Sequence, residues 1–241
     1  MNDAIVIIPT YNEIENIEAI IKAVFSQSKE FHILVVDDNS PDLTAKKVVE
    51  LQQDFREKLF LLNRNEKTGL GTAYIAGFKW CLSKDYKYVF EMDADFSHDP
   101  NDLIKLYNAC YVEGADLAIG SRYIKGVNVV NWPMSRILLS YFASKYVRFI
   151  TRMKIEDTTA GFVCYKRAVL ETINLDKIEF VGYAFQIEMK FKAYLKKFQI
   201  VEVPVIFTDR KKGKSKMSGG IISEAIFGVI KMKLKSIFNS K

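Results

Sequence analysis

Two aspartates one residue apart close a short apolar run in Tyr88-Val89-Phe90-Glu91-Met92-Asp93-Ala94-Asp95. Asp93 and Asp95 can both reach one cation, and hard oxygen ligands suit Mg²⁺ or Mn²⁺, which keep waters and complete their shell with substrate phosphates. A nucleotide diphosphate is the natural partner of such a site. The same residues also read as a solvated acidic turn, because Asp99-Pro100-Asn101-Asp102 is good helix-start chemistry. Two further acidic clusters share the setting: Glu13 follows the apolar Ala4-Ile5-Val6-Ile7-Ile8, and Asp37-Asp38 follow Phe31-His32-Ile33-Leu34-Val35-Val36. An acidic residue at a strand end commonly binds ribose hydroxyls, a role open to Asp38, while Asp37-Asp38-Asn39-Ser40 also makes an Asx-rich turn. Gly69-Leu70-Gly71 is only weakly like a phosphate-cradling loop; close backbone approach at a helix start accounts for both glycines.

Short β-forming runs must carry these clusters. Residues 4–8, 31–36, 59–62, 88–90 and 116–120 read as strands, and helical periodicity fills the intervals at 14–25, 43–55, 72–82 and 100–113. Asn12 is positioned to cap the first helix. The alternation predicts an α/β fold: a Rossmann-like, mostly parallel sheet with helices on both faces and its ligands at the strand ends. From Trp132 to Thr151 there are too many apolar residues for one stripe, so that helix is expected to bury more than one face. Residues 162–165, 182–197 and 200–207 read as strand, helix and strand. With no repeat or linker, residues 1–241 are expected to form a single domain, with a basic amphipathic helix at 219–238.

Composition narrows the class. A chain of 241 residues that is 49% hydrophobic has a core to bury, which excludes a disordered protein. Three distant cysteines, Cys81, Cys110 and Cys164, with two histidines, argue for reduced thiols in a cytoplasmic protein. Met1-Asn2-Asp3 leads straight into a strand with no basic leader, and no uncharged apolar run reaches 18 residues, so neither a signal peptide nor a membrane span is expected. The net charge of +6 is concentrated late, at Lys211, Lys212, Lys214, Lys216, Lys231, Lys233, Lys235 and Lys241, and calls for an anionic partner. Ile222, Ile226, Val229, Ile230, Ile237 and Phe238 can share one helical face, so the last helix is expected to lie on a membrane surface, directly or through a membrane-anchoring partner.

Six segments occur in order: Ile8-Pro9-Thr10-Tyr11-Asn12-Glu13, Val36-Asp37-Asp38-Asn39-Ser40-Pro41-Asp42, Met92-Asp93-Ala94-Asp95-Phe96-Ser97-His98, Gly120-Ser121-Arg122-Tyr123, Gly182-Tyr183-Ala184-Phe185-Gln186-Ile187-Glu188-Met189 and Asp209-Arg210 through Met217-Ser218. Together they resemble the family 2 glycosyltransferases of GT-A fold, most closely the dolichyl- and polyprenyl-phosphate mannosyltransferases. The resemblance implies inverting transfer of mannose from GDP-mannose to a polyprenyl phosphate, giving a β-linked product, by an enzyme peripheral to the cytoplasmic face of a membrane, with no nucleic-acid partner. It places Pro9, Tyr11, Asn12, Glu13, Val36 and Asp38 around the nucleotide, with Asp93 and Ala94 by the diphosphate. Asp93, Asp95 and Ser97 would hold Mg²⁺ or Mn²⁺, and Arg122, Arg210 and Lys216 would meet phosphates or acceptor, so that Asp95 and these three cations form the catalytic set.

Other readings stay open. A UDP-sugar could supply glucose or another hexose to polyprenyl phosphate, or to a glycan hydroxyl. A hydroxyl needs a general base, and the stretch Tyr183-Ala184-Phe185-Gln186 has no carboxylate before Glu188, which is expected at a solvated helix position. A receiver-like module also carries a carboxylate pair at a parallel strand end, but needs only about half this length.

Overall fold

A computed structural model describes residues 2–182, 184–210 and 220–238, with side chains in the last segment described from 226. In chain order it has β1 (Ala4–Thr10), α1 (Ile17–Phe25), β2 (His32–Asp37), α2 (Thr44–Leu51), β3 (Leu59–Asn63), α3 (Leu70–Leu82), β4 (Tyr88–Glu91), α4 (Leu103–Tyr111) and β5 (Leu117–Ser121). It continues with β6 (Val129–Val130), α5 (Met134–Thr151), β7 (Val163–Lys166), α6 (Arg167–Thr172), α7 (Ala184–Leu195), β8 (Ile200–Pro204), β9 (Phe207–Thr208) and α8 (Gly220–Phe238).

The main sheet has the order β3-β2-β1-β4-β7-β5-β8. Strand periodicity of two gives β1 a residue for each core in turn: Ile5 and Ile7 pack under α3 and α7, while Ala4, Val6 and Ile8 pack under α1, α2 and α4. Burial on both faces is why these strands read as unbroken apolar runs. Cys81, Cys110 and Cys164 are buried free thiols within the two cores.

The alternation is not wholly parallel. β7 runs antiparallel between β4 and β5, with Glu91 opposite Val163 and Ile119 opposite Val163 in register. That reversal brings the residues before β7, 157–162, to the sheet edge where β4 delivers Asp93. The parallel neighbours keep common register, Pro9 beside Val36 and Thr10 beside Asp37, so the first two acidic clusters emerge side by side.

Several local expectations need correction. Asn12 does not cap α1: it takes a left-handed φ of 57°, and the Glu13 carbonyl accepts from the amides of Asn16 and Ile17, delaying the helix start to Ile17. Leu43, at φ 69°, delays α2 in the same way. The stretch 200–207 is two strands, β9 having left the main sheet to pair with β6.

The long helix α5 does not bury more than one face. Only Ser144, Val147 and Thr151 are fully buried, while Met134, Leu138, Leu139, Phe142 and Phe149 are exposed. The expected single apolar face of α8 is also divided: Val229 and Met232 enter the core, whereas Ile226, Phe227, Ile230, Leu234, Ile237 and Phe238 are exposed. α5 and α8 pack together, and the Tyr146 hydroxyl donates to the Ile226 carbonyl at 2.9 Å. No helix among the described residues is long and apolar enough to cross a membrane.

Candidate active site

The acidic turn leaves β4 immediately after the Met92 amide makes its sheet bond to the Ile7 carbonyl. Its conformation is built from local polar contacts. The Ser97 amide donates to Asp95 Oδ1 at 3.0 Å, Phe96 adopts a left-handed φ of 61°, and the Asp93 amide donates to His98 Nδ1 at 3.1 Å. A left-handed non-glycine residue costs about 1–2 kcal/mol, so the turn persists because these contacts over-determine it. Burial drives the His98 imidazole down to about 4, outweighing the attraction of Asp95, so the ring is neutral near pH 7.

Asp95 is buried and its Oδ2 meets Arg210 Nη2 at 3.0 Å. Arg210 arrives from β9 on an anchored segment: the Asp209 amide donates to the Val130 carbonyl, and the Asp209 carboxylate accepts from Arg136 at 2.8 Å. Thr208 also donates to the Ser97 carbonyl at 3.4 Å. Lys216, with Lys211, Lys212 and Lys214, lies outside the described residues.

The residues present fit a divalent ion shared with a ligand. Asp93 and Asp95 supply hard oxygens, and the buried Ser97 hydroxyl has no hydrogen-bond partner among the described residues. No three His, Cys, Asp or Glu side chains gather as a metal cage among the described residues, so a cation held here would need water and phosphate oxygens in its shell. Ala94 is buried between the aspartates.

A second group lies where β1 and β2 end. The Arg64 guanidinium donates to Asp38 at 2.9 Å and to Thr72 at 2.9 Å, and the Lys67 ammonium sits 4.4 Å from the centre of the Tyr11 ring. Burial pushes the Asp38 carboxyl above its ordinary range despite Arg64. Asp37 is a turn-former: its carboxylate accepts from Thr10, from the Ser40 amide and from the Ser40 hydroxyl. Glu13 is held by Asn16 and Thr44, Asn12 is exposed, and Pro9 is half-buried. Val36, expected beside the nucleotide, has no exposed surface and packs in the core.

Arg122 leaves β5 and turns inward. Its Nε and Nη2 each donate to an Asp157 carboxylate oxygen at 2.6 Å, Nη2 also reaches Thr159 at 2.8 Å, and the Arg122 amide donates to Asp157 at 3.0 Å. Asp157 escaped notice in the sequence, although Asp157-Thr158-Thr159-Ala160-Gly161 before an apolar strand is a signal that could have found it. Burial alone would raise its pKa, but the charge and hydrogen bonds of Arg122 outweigh that and hold it below the ordinary range.

Glu91 and Lys190 also went unread. Gln186 donates to Glu91 at 2.7 Å, and the Lys190 ammonium donates to the Ala160 carbonyl at 2.6 Å and to Gln186 Oε1 at 3.3 Å. Burial pushes the Glu91 carboxyl up and the Lys190 amine down, as expected for charges taken out of water. A Glu inside the run Tyr88 to Met92 was the available clue. Glu188 is neither solvated nor poised as a base: it is buried, accepts the amides of Glu179 and Phe180 at 2.9 and 3.1 Å, and pairs with Lys192. It fastens the entry to α7, which explains its burial.

The profile of Glycosyl transferase family 2 matches residues 5–173 of the chain. The chain belongs to this family. It is a glycosyltransferase. Polyprenol monophosphomannose synthase of Mycolicibacterium smegmatis is 48% identical over 225 residues, covering 93% of this chain and 84% of the relative. Undecaprenyl-phosphate mannosyltransferase of Micrococcus luteus is 44% identical over 228 residues, covering 95% and 93%. Among solved structures, glucosyl-3-phosphoglycerate synthase of Mycobacterium tuberculosis, in complex with Mn²⁺, UDP and glucosyl-3-phosphoglycerate, aligns with a TM-score of 0.69 at 15% identity. That alignment covers 97% of this chain and 79% of the neighbour, and establishes the GT-A fold.

The Arg122–Asp157 pair generates a stability prediction. With its folded-state value depressed, Asp157 contributes stability that is complete above the ordinary carboxylate range and is lost as pH falls through the depressed value. Asp157→Asn removes the carboxylate that the buried Arg122 guanidinium grips through two nitrogens, and should cost about 3 kcal/mol near pH 7. It should also flatten the acid limb of stability against pH, both read from urea midpoints. A variant with wild-type midpoints at pH 7 and an unchanged acid limb would show that the pair contributes nothing.

Proposed function

We propose that the protein transfers mannose from GDP-mannose to a polyprenyl phosphate, with inversion at the anomeric carbon. The observation that supports this most is the likeness, across more than nine-tenths of the chain, to two enzymes named for mannosyl transfer to polyprenyl carriers. The geometry is compatible: acidic groups for a nucleotide and a cation stand at adjacent strand ends, with Arg210 against Asp95.

In this reading the guanosine lies over Pro9, Tyr11, Asn12 and Glu13, with Asp38 accepting from the nucleoside. Arg64 keeps the Asp38 carboxylate oriented and Lys67 covers the Tyr11 ring. Asp93, Asp95 and Ser97 would hold Mg²⁺ or Mn²⁺, whose chemistry when bound is to neutralise charge on the leaving diphosphate. Arg210, already against Asp95, turns its guanidinium to the phosphates, and Arg122 and Lys216 are the further cations assigned to donor or acceptor. An oxygen of the acceptor phosphate attacks C1 of mannose as the bond from C1 to the GDP oxygen breaks with its electron pair. The acceptor is anionic at neutral pH, so positioning suffices and no proton need be removed. Glu188, engaged with two amides and Lys192, is consistent with a site that uses no general base.

The acceptor lipid is confined to the bilayer, so the enzyme must meet it there. The exposed apolar residues of α5 and α8, flanked by Lys145, Arg148, Lys231, Lys233 and Lys235, suit a peripheral attachment to anionic lipid, direct or through a membrane-anchoring partner. Each cation near such a surface adds about 1 kcal/mol. The three buried free thiols favour the cytoplasmic side.

Purified protein with Mg²⁺ or Mn²⁺ and radiolabelled GDP-mannose should move label into the organic phase only when polyprenyl phosphate is present, and Asp95→Asn should reduce that rate at least about 100-fold while retaining the wild-type Tm. Asp95→Asn with near-normal turnover at saturating Mn²⁺ would remove the carboxylate from the site. Attachment has its own test: wild-type protein should float with anionic vesicles at low salt, and Phe142→Ser, Phe149→Ser and Phe227→Ser together should leave it in the aqueous fraction. Wild-type protein that does not float would refute direct docking.

A further inference from the structure

The Asp93 amide is the first one beyond the sheet ladder on β4, since the Met92 amide still bonds to the Ile7 carbonyl. A half-buried backbone N–H at the point where a chain leaves its sheet needs a new acceptor. Here the acceptor is a side chain five residues on: His98 Nδ1, at 3.1 Å. The hydrogen bond closes a loop that contains Asp93, Ala94, Asp95, Phe96 and Ser97, the entire acidic turn.

The ring that supplies this nitrogen is held on two sides. It stacks on Phe162 at 4.8 Å with planes 11° apart, and meets the edge of Phe207 at 5.4 Å and 82°. Phe162 immediately precedes β7, and Phe207 opens the short strand that leads to Arg210. His98 therefore touches three parts of the site: the acidic turn through its nitrogen, the edge of the antiparallel strand through one face, and the base of the Arg210 segment through its side. A core aromatic would give the packing but offer no acceptor.

We infer that His98 is a positioning residue for metal binding: its Nδ1 fixes the Asp93 backbone, and its ring fixes the turn against the Arg210 segment, so that the carboxylates of Asp93 and Asp95 are held ready for one cation. This rests on the metal reading of those two aspartates. A ring nitrogen that accepts a hydrogen bond carries no proton, so His98 must be the tautomer protonated on Nε2. Groups that orient metal ligands in this way typically change metal affinity 10–100-fold when removed.

Two readouts test the inference. In ¹⁵N-labelled wild-type protein the imidazole nitrogen shifts report the tautomer directly, and assignment is simple because the chain has two histidines, His32 and His98. The Nε2–H form is expected for His98; the Nδ1–H form would overturn the inference, and this measurement needs no variant to fold. Mn²⁺ binding by electron paramagnetic resonance, with GDP present, supplies the second. His98→Phe keeps a ring and loses the acceptor; it should weaken Mn²⁺ binding at least about tenfold with the Tm little changed. His98→Asn restores an acceptor near the Nδ1 position and should recover much of that loss. Wild-type Mn²⁺ affinity in His98→Phe would show that the acceptor does not position the ligands. Absence of Mn²⁺ binding by the unaltered protein would refute the metal reading itself, and the tautomer would still report whether His98 holds the Asp93 amide.

Discussion

Asp95 follows β4 and Arg210 follows β9, far apart in the sequence, and the two meet at 3.0 Å. Much of the site is built around keeping that encounter possible. Asp95 is oriented by the Ser97 amide, the turn is closed by His98, and Arg210 is delivered by a segment tied to Val130 and Arg136. A guanidinium on a buried carboxylate offsets both charges. It also leaves a cation within reach of the place where a diphosphate would lie, which suits a reaction whose main demand is neutralising a leaving group.

Beneath this pair the protein carries several buried charges. Arg122 is matched by Asp157, Glu91 by Gln186, and Lys190 by the Ala160 carbonyl and Gln186. Each would be costly alone in the interior, and together they join β4, β5, α7 and the approach to β7. The antiparallel β7 makes this possible, because it returns residues 157–162 to the edge from which the acidic turn emerges. Gly71 contributes from the other side: a Cβ there would lie 2.8 Å from the Phe185 ring and 2.9 Å from the Phe180 carbonyl, so only glycine lets α3 press against the entry to α7.

The acidic turn, the strand alternation and the family were legible because they are written locally: apolar runs of strand length, turn residues between them, and short motifs in order. The direction of β7 was not, since Phe162 to Tyr165 is equally apolar read either way. The exposure of α5 was misread for a related reason. Periodicity shows that Leu138, Leu139, Phe142 and Phe149 are apolar but not what covers them, and in the described structure they are exposed. Charges posed the opposite problem: Glu188 and Lys190 look like helix-surface residues until their partners, two amides and a carbonyl from other segments, are in place. Asn12 failed as a cap because its backbone is left-handed and the Asp42 carboxylate takes the Ile14 amide that a cap there would serve.

The proposed reaction is a single displacement at the anomeric carbon by an acceptor that is already charged, with Glu188 engaged by two amides and Lys192 and not poised as a base. The product's stereochemistry tests that most directly. GDP-mannose labelled with ¹³C at C1, incubated with the protein, a divalent ion and polyprenyl phosphate, should yield a lipid-linked mannosyl phosphate whose one-bond carbon–proton coupling at C1 is that of the β anomer. An α-linked product, or label that never appears on the lipid, would contradict it.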